Sequence, residues 1–347
     1  MRLASWLGTP VVGFVGGYIA ALVNWPLPWV VGSLVAVMLT RCAGWMVTDI
    51  PYGRRAGQWL VATGLGLYFT REVLSLLAGH ALVIVVCGMT TLVLSLLGMS
   101  IFRRGGNDPV TSYFASMPGG ASEMISLAVR HGAGSPERVA AAQSLRIMLV
   151  VLVIPPLFSF GGGAALERLS LPVDWNYLVL LLVSGIGMGA LLDRMNMPIP
   201  WMLGPLLVCC LLTASLDLHM GLPPGLGELG QWLIGCSIGC SFARPFFRSA
   251  PAFLLRVVIF TLLTMGGAMA GAWMVTRLTE LSVVSVILGM MPGGITELSL
   301  TAQALNESVA LVIAIQIVRF LIVVLFADVL FRTCFKSASR SQEKPVR

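Results

Sequence analysis

Charge is scarce in this chain. Of 347 residues only 11% are charged and three are histidine, where a soluble domain of this size carries about 25% charged residues. That shortage excludes an ordinary soluble globule. The histidines (His80, His131, His219) lie near segment ends, form no matched set, and receive no catalytic assignment. The seven cysteines (Cys42, Cys87, Cys209, Cys210, Cys236, Cys240, Cys334) have no metal-ligand spacing and no histidine in register. Six of them lie in apolar stretches, where a thiol acts as a small hydrophobe. Neither disulfides, nor metal, nor any other cofactor is assigned. The chain also lacks a nucleotide-binding loop and any defensible nucleophile–base spacing, so it is not expected to be an enzyme. A P-loop pump is excluded for this chain by itself.

Apolar residues fill the gap. They make up 57% of the chain, and mean hydropathy is +0.91. Runs of roughly 20 apolar residues, the length that crosses a hydrocarbon core, recur from end to end. These features predict an all-α polytopic membrane protein whose main partner is the lipid bilayer. A transmembrane barrel would instead show short alternating segments. The net charge of +7 comes from single Arg and Lys residues at the ends of apolar runs, so no nucleic-acid partner is expected. The exception is the stretch Arg332 to Arg347, with five Lys/Arg and one Glu. Its last part, 336–347, reads as a basic cytoplasmic tail.

The chain also repeats itself. Met117-Pro118-Gly119-Gly120-Ala121-Ser122-Glu123-Met124 returns as Met291-Pro292-Gly293-Gly294-Ile295-Thr296-Glu297-Leu298. Gln143 and Arg146 follow the first copy, and Gln316 and Arg319 follow the second. Gly13, Gly17, Asn24, Pro26, Pro28, Trp29 and Gly32 match Gly185, Gly189, Asn196, Pro198, Pro200, Trp201 and Gly204 at an offset of 172. Gly57-Gln58-Trp59-Leu60 with Phe69 and Arg71 matches Gly230-Gln231-Trp232-Leu233 with Phe242 and Arg244 at 173. Four blocks in one order define tandem membrane repeats over 1–165 and 173–335. Because the first apolar segment belongs to the repeat, it is expected to be retained rather than cleaved as a signal.

Each repeat holds six apolar segments: 4–23, 27–46, 57–77, 80–102, 111–130 and 139–163, then 174–195, 199–216, 230–247, 252–276, 283–305 and 308–331. The fifth of each contains the Pro-Gly-Gly motif, where a missing donor and paired glycines predict an interrupted helix. If all twelve segments span, the Arg and Lys residues other than Arg146, Arg256 and Arg319, which sit deep within segments, divide 13 inside to 6 outside. If segments five and eleven enter and leave on one side, the second repeat is inverted and the division becomes 16 to 3. The positive-inside rule favours the second arrangement: about ten spanning helices plus two re-entrant segments, with both termini cytoplasmic.

The repeated polar residues are the candidate site. Pro118 and Pro292 suit the start of a helix, where a missing N–H costs nothing. Gly119, Gly120, Gly293 and Gly294 would let a ligand approach the backbone N–H groups. Ser122 and Thr296 could satisfy free backbone groups, and Glu123 and Glu297 would sit in a first turn, where negative charge suits the dipole. Gln143 and Arg146 share a helix face, as do Gln316 and Arg319. An arginine on an apolar face must find an anion, a carbonyl or water. Two readings stay open: Glu–Arg pairs that lock the core, or arginines that meet an anionic substrate while the glutamates take a coupling ion. The Pro-x-Pro-Trp blocks read as hairpins followed by an interface tryptophan. The glycine-rich first segments fit close helix packing, and Gln58 and Gln231 are weaker candidates to border a cavity.

The doubled MPGG-x-[ST]-E, the Q-x-x-R pairs and the repeated P-x-P-W-x-x-G block resemble the bacterial AbrB membrane-protein duplication family over residues 4–333. Some members have been labelled ammonia monooxygenase, yet this sequence has no copper-site cluster. Others are named as regulators of gene expression. The family is also similar to cation/proton antiporter and anion transporter folds built from inverted repeats with broken helices. The resemblance therefore implies a secondary transporter of the bacterial inner membrane, centred on Pro118–Glu123 and Pro292–Glu297. It would move a small, on one reading anionic, solute with a proton or cation, and a homo-oligomer is left open. The alternative is an integral membrane regulator that affects gene expression indirectly.

Overall fold

A computed structural model describes residues 7–45, 47–159, 172–242 and 250–339. Arg2, Arg168, Arg244 and Arg248, used in the charge count, lie outside the described residues, as does the tail beyond residue 339. The described residues form fifteen helices and no strand. In the first half these are α1 (Gly8–Leu22), α2 (Pro28–Cys42), α3 (Gly53–Gly66), α4 (Arg71–Gly79), α5 (Ala81–Arg103), α6 (Pro109–Ser116), α7 (Ala121–Arg130) and α8 (Pro136–Ser159). In the second half they are α9 (Trp175–Arg194), α10 (Pro200–Leu216), α11 (Leu226–Cys240), α12 (Pro251–Thr276), α13 (Val283–Met290), α14 (Ile295–Ala304) and α15 (Val309–Ser339).

Five of these helices, α5, α8, α9, α12 and α15, are long and apolar enough to cross a bilayer. The architecture is that of a multi-pass membrane protein. Helices α1, α2 and α10 are apolar but shorter. The third segment, expected as one span, is bent by 87° between α3 and α4. There Thr70 caps the new helix by accepting from the Val73 N–H.

The expected interruptions fall at the Pro-Gly-Gly motifs. The residue before a proline is driven out of the α region. Met117 and Met291 accordingly end α6 and α13 in extended conformation, with ψ of 130° and 138°. Gly120 and Gly294, also extended, start α7 and α14. Each broken segment folds back as a hairpin. The Ser135 N–H, past the end of α7, donates to Thr111 Oγ1 at the start of α6 at 3.2 Å. Past the end of α14, the Ser308 N–H donates to Ser285 Oγ at 3.0 Å, and Ser285 Oγ donates to Glu307 at 2.7 Å.

Helix α15 fixes where the hairpins come from. The root of the second hairpin immediately precedes Val309. The root of the first lies beside the far part of α15: Tyr113 donates to the Ala327 carbonyl at 2.9 Å, and His131 meets Asp328 at 2.6 Å. Val309 and Ala327 are about 27 Å apart along a helix rising 1.5 Å per residue. The two roots therefore sit about 27 Å apart along α15, and the tips point toward the stretch between them.

The halves interleave into two bundles. Helices α1, α2 and α3 pack with α9, α10 and α11, while α5 to α8 pack with α12 to α15. Matched residues meet across the first bundle. A Cβ on Gly57 would lie 2.8 Å from the Gly230 carbonyl oxygen, and one on Gly230 would lie 3.2 Å from that of Gly57. Gly13 abuts Trp232, and its match Gly185 abuts Trp59. Of the glycine-rich segments, Gly16 packs on Gly32, Gly17 under Trp29 and Gly189 under Trp201, whereas Gly187 faces open space.

Gly57→Ala forces the α3–α11 crossing apart and is expected to cost about 1–3 kcal/mol. Gly187→Ala is expected to be neutral or stabilising by up to ~1 kcal/mol. Thermal unfolding of the purified protein in detergent measures both. Equal unfolding temperatures for the two variants would contradict the close crossing.

Candidate functional site

The two hairpin tips end in one cavity of about 750 Å³ between the bundles. Pro118, Gly119, Gly120 and Glu123 line it from one side, and Pro292, Gly293, Gly294, Thr296 and Glu297 from the other. Gln143, Arg146 and Arg319 line it too, while Gln316 is fully buried behind it. Ser122 lies in the first turn of α7, and its side chain is outside the described residues. Gln58 borders the cavity, but its match Gln231 does not line it.

The Gln/Arg pairs hold the ends of the broken helices. Arg146 is the eleventh residue of α8 and Arg319 the eleventh of α15. Both lie about 15 Å from the helix start, the half-depth of a hydrocarbon core of about 30 Å. A helix ending there leaves its last carbonyls without partners. Gln143 Nε2 donates to the carbonyls of Phe114 (3.1 Å) and Met117 (2.9 Å). Arg146 donates to those of Ser116 (3.3 Å) and Ala115 (3.1 Å). In the second half Gln316 donates to Leu288 (2.9 Å) and Met291 (3.3 Å). Arg319 donates to the Met291 carbonyl, to Gly293 at 3.0 Å, and to the Gln316 side chain.

This geometry resolves what the sequence left open about the arginines. Arg146 and Arg319 are 3% and 2% exposed, and neither is among the ion-paired groups of the described residues. They meet carbonyls rather than the glutamates. Fixed Glu–Arg pairs are not what locks this core, because the negative ends of α6 and α13 claim the guanidinium groups first.

The glutamates serve the opposite helix ends. Glu123 and Glu297 occupy the first turns of α7 and α14, where free N–H groups and the dipole favour a carboxylate. Each folds back over its own helix start: a Cβ on Gly120 would lie 1.9 Å from Glu123 Oε2, and one on Gly294 1.9 Å from Glu297 Oε2. The first glycine of each motif is likewise covered, Gly119 by Met124 and Gly293 by Val150 and Leu298. The glycines were expected to admit a ligand to the backbone. Instead they make room for side chains of their own helices, and a ligand reaching the N–H groups meets the carboxylates first.

The sequence reading missed the far wall and the mouth. Trp201, expected at the membrane interface, lines the cavity with Ile199, Asp49, Arg54, Arg55 and Asp193. Arg55 pairs with Asp193 at 3.1 Å and lies 5.8 Å from the Tyr52 ring and 5.9 Å from the Trp201 ring. This links α3 of one half to the end of α9 in the other. Arg54 and Arg55 stand just before the third apolar segment, where single charges are ordinary. Their pairing across 138 residues leaves no mark in local pattern. Among the described residues no group of three or more His, Cys, Asp or Glu is placed to share a metal ion.

The family model described as transition state regulatory protein AbrB matches residues 29–335. A Bacillus subtilis (strain 168) protein named "Uncharacterized protein YhjN" is 26% identical over 357 aligned residues, covering 92% of this chain and 91% of that protein. An Escherichia coli (strain K12) protein named "Putative regulator AbrB" is 26% identical over 328 residues, covering 91% of this chain and 92% of that protein.

Arg319→Met is expected to destabilise the fold by about 1–3 kcal/mol for each carbonyl left without a donor. Arg319→Lys should recover only part, since an ammonium cannot fork to several acceptors as a guanidinium does. Glu297→Gln keeps the shape and should cost less than either. Thermal unfolding in detergent ranks the three. Arg319→Met unfolding at the wild-type temperature would refute the capping role.

Proposed function

The chain belongs to the AbrB family, and we propose that it acts as a secondary transporter. It moves a small solute by alternating access around two interrupted helices, driven by a proton or another cation. The observation that carries this reading is the meeting of two matched hairpin tips in one cavity between two bundles. Broken helices at mid-depth are tolerated where they border a cavity, and transporters bind there.

Several contacts support an inverted relation of the halves. The hairpin roots lie about 27 Å apart along α15, and matched glycines and tryptophans meet reciprocally, as a two-fold relation requires. The arginine distribution supports a bacterial inner-membrane location with cytoplasmic termini. In that orientation the Arg54 and Arg55 mouth faces the cytoplasm. The name of the Escherichia coli relative favours a second reading, an integral membrane regulator acting indirectly on gene expression. A transporter that sets the level of a signalling metabolite would satisfy both.

Alternation exchanges the roles of matched residues. Gln58 lines the cavity, and Gln231 takes its place when the opposite face opens. Gln58→Cys and Gln231→Cys, each in a background without the natural cysteines, are labelled with a membrane-impermeant maleimide in vesicles of both orientations. Gln58→Cys should react from the cytoplasmic face and Gln231→Cys from the opposite one. If Gln231→Cys is reached only from the face that reaches Gln58→Cys, alternating access is wrong.

A further inference from the structure

We propose that the site takes the carboxylate group of a small organic anion, which displaces Glu297 from the start of its own helix once that glutamate is protonated. The inference rests on the transporter reading and names its substrate class and coupling ion. It follows from which charges in the cavity are already committed. Arg146 and Arg319 are held by backbone carbonyls and are 3% and 2% exposed. A cationic group could occupy the carbonyl ends only by replacing a guanidinium that bridges two or more acceptors, at the cost of unpaired carbonyls at mid-depth. Glu297 is held differently. It is 7% exposed, borders the cavity, and has no side-chain hydrogen bond or ion pair to another described residue. Both carboxylates lie over glycines that are themselves partly open to the cavity.

Beneath each carboxylate lie the N–H groups of a helix start, which bind anions of any origin. The substrate group is chemically the one already there. The step balances in protons and charge. The Glu297 carboxylate takes one proton and becomes a neutral carboxyl, which the positive helix start no longer attracts by charge. A substrate carboxylate then takes its place and accepts from the N–H groups of the helix start. One proton and one negative charge enter together, so the charge of the cavity is unchanged and no bond of the substrate is made or broken. The charged groups facing Glu297 are Arg54 and Arg55 from α3, Arg146 from α8, Arg319 from α15 and Glu123 across the cavity, with Asp49 and Asp193 at the mouth. Glu123 faces the same set, with Glu297 opposite. The cavity of about 750 Å³ is of a size that holds small molecules.

The test uses the full-length protein in detergent. Its probes are pyruvate, lactate, benzoate and tartrate, with choline, putrescine and ammonium as cationic counterparts. Binding is followed by thermal shift and by calorimetry at about pH 5.5 and about pH 7.5, a range over which free Glu would be ionised. At least one carboxylate should bind more tightly at the lower pH, by about tenfold per pH unit where the glutamate is ionised. In weakly buffered solution about one proton should be taken up per carboxylate bound. The Glu297→Gln variant should bind the same carboxylate equally at both pH values, without proton uptake. Binding of cations alone, carboxylate binding in the wild type without proton uptake, or no carboxylate binding would each overturn the proposal. If the variant does not fold, the proton count on the wild type decides. A cation-only result would leave the transporter reading intact, because labelling of Gln58→Cys and Gln231→Cys tests that separately.

Discussion

A helix broken in the middle of an apolar protein exposes two poles, and everything at this site follows from neutralising them. The last carbonyls of α6 and α13 form a negative end and the first N–H groups of α7 and α14 a positive one. Left unpaired in hydrocarbon, each such group costs several kcal/mol. The Gln/Arg pairs cover the negative ends and the glutamates the positive ends, in both halves. Each break is thereby close to neutral within itself. This is why a chain so poor in charge keeps the same two charges twice.

The neutralisation is unequal in permanence. A guanidinium spread over several carbonyls is fastened at several points, whereas the Glu297 carboxylate lies over Gly294 without a hydrogen bond or ion pair to another described residue. The arginines hold the frame, and in the proposed cycle Glu297 is the part that lets go. Around them the interleaved bundles supply two bodies with a cavity between. At the mouth, the exposed Arg55–Asp193 pair ties the two halves within one bundle.

Much of this was legible in the sequence. The helical class, the interruptions at Met117–Gly120 and Met291–Gly294 and the candidate set followed from hydropathy, proline chemistry and the doubled motif. What pattern could not give was the partner of each charge. Arg146 stands 30 residues from Ser116, and its bonds run to carbonyls, which every residue has and no sequence marks. The glycines misled for a related reason. Absence of a side chain reads as room for a ligand, when the room at Gly120 and Gly294 is filled by a neighbouring carboxylate. Trp201 was placed at the interface because a lone tryptophan after a hairpin usually sits there. Ile199, held at φ 48° beside the cavity, is a β-branched residue in a strained conformation that no propensity would suggest.

The position of α15 has a consequence for how the protein is made. The root of the first hairpin is anchored to Ala327 and Asp328, which follow Tyr113 by 214 residues and His131 by 197. At about 5–20 residues per second, synthesis of the intervening chain takes roughly 10–40 s. For that interval the first hairpin exists with its own Gln143 and Arg146 but without the wall it rests on. The early half must wait, capped but unbraced, for the last helix to arrive. A chain truncated before residue 327 would present cellular quality control with a complete first motif and no completed site.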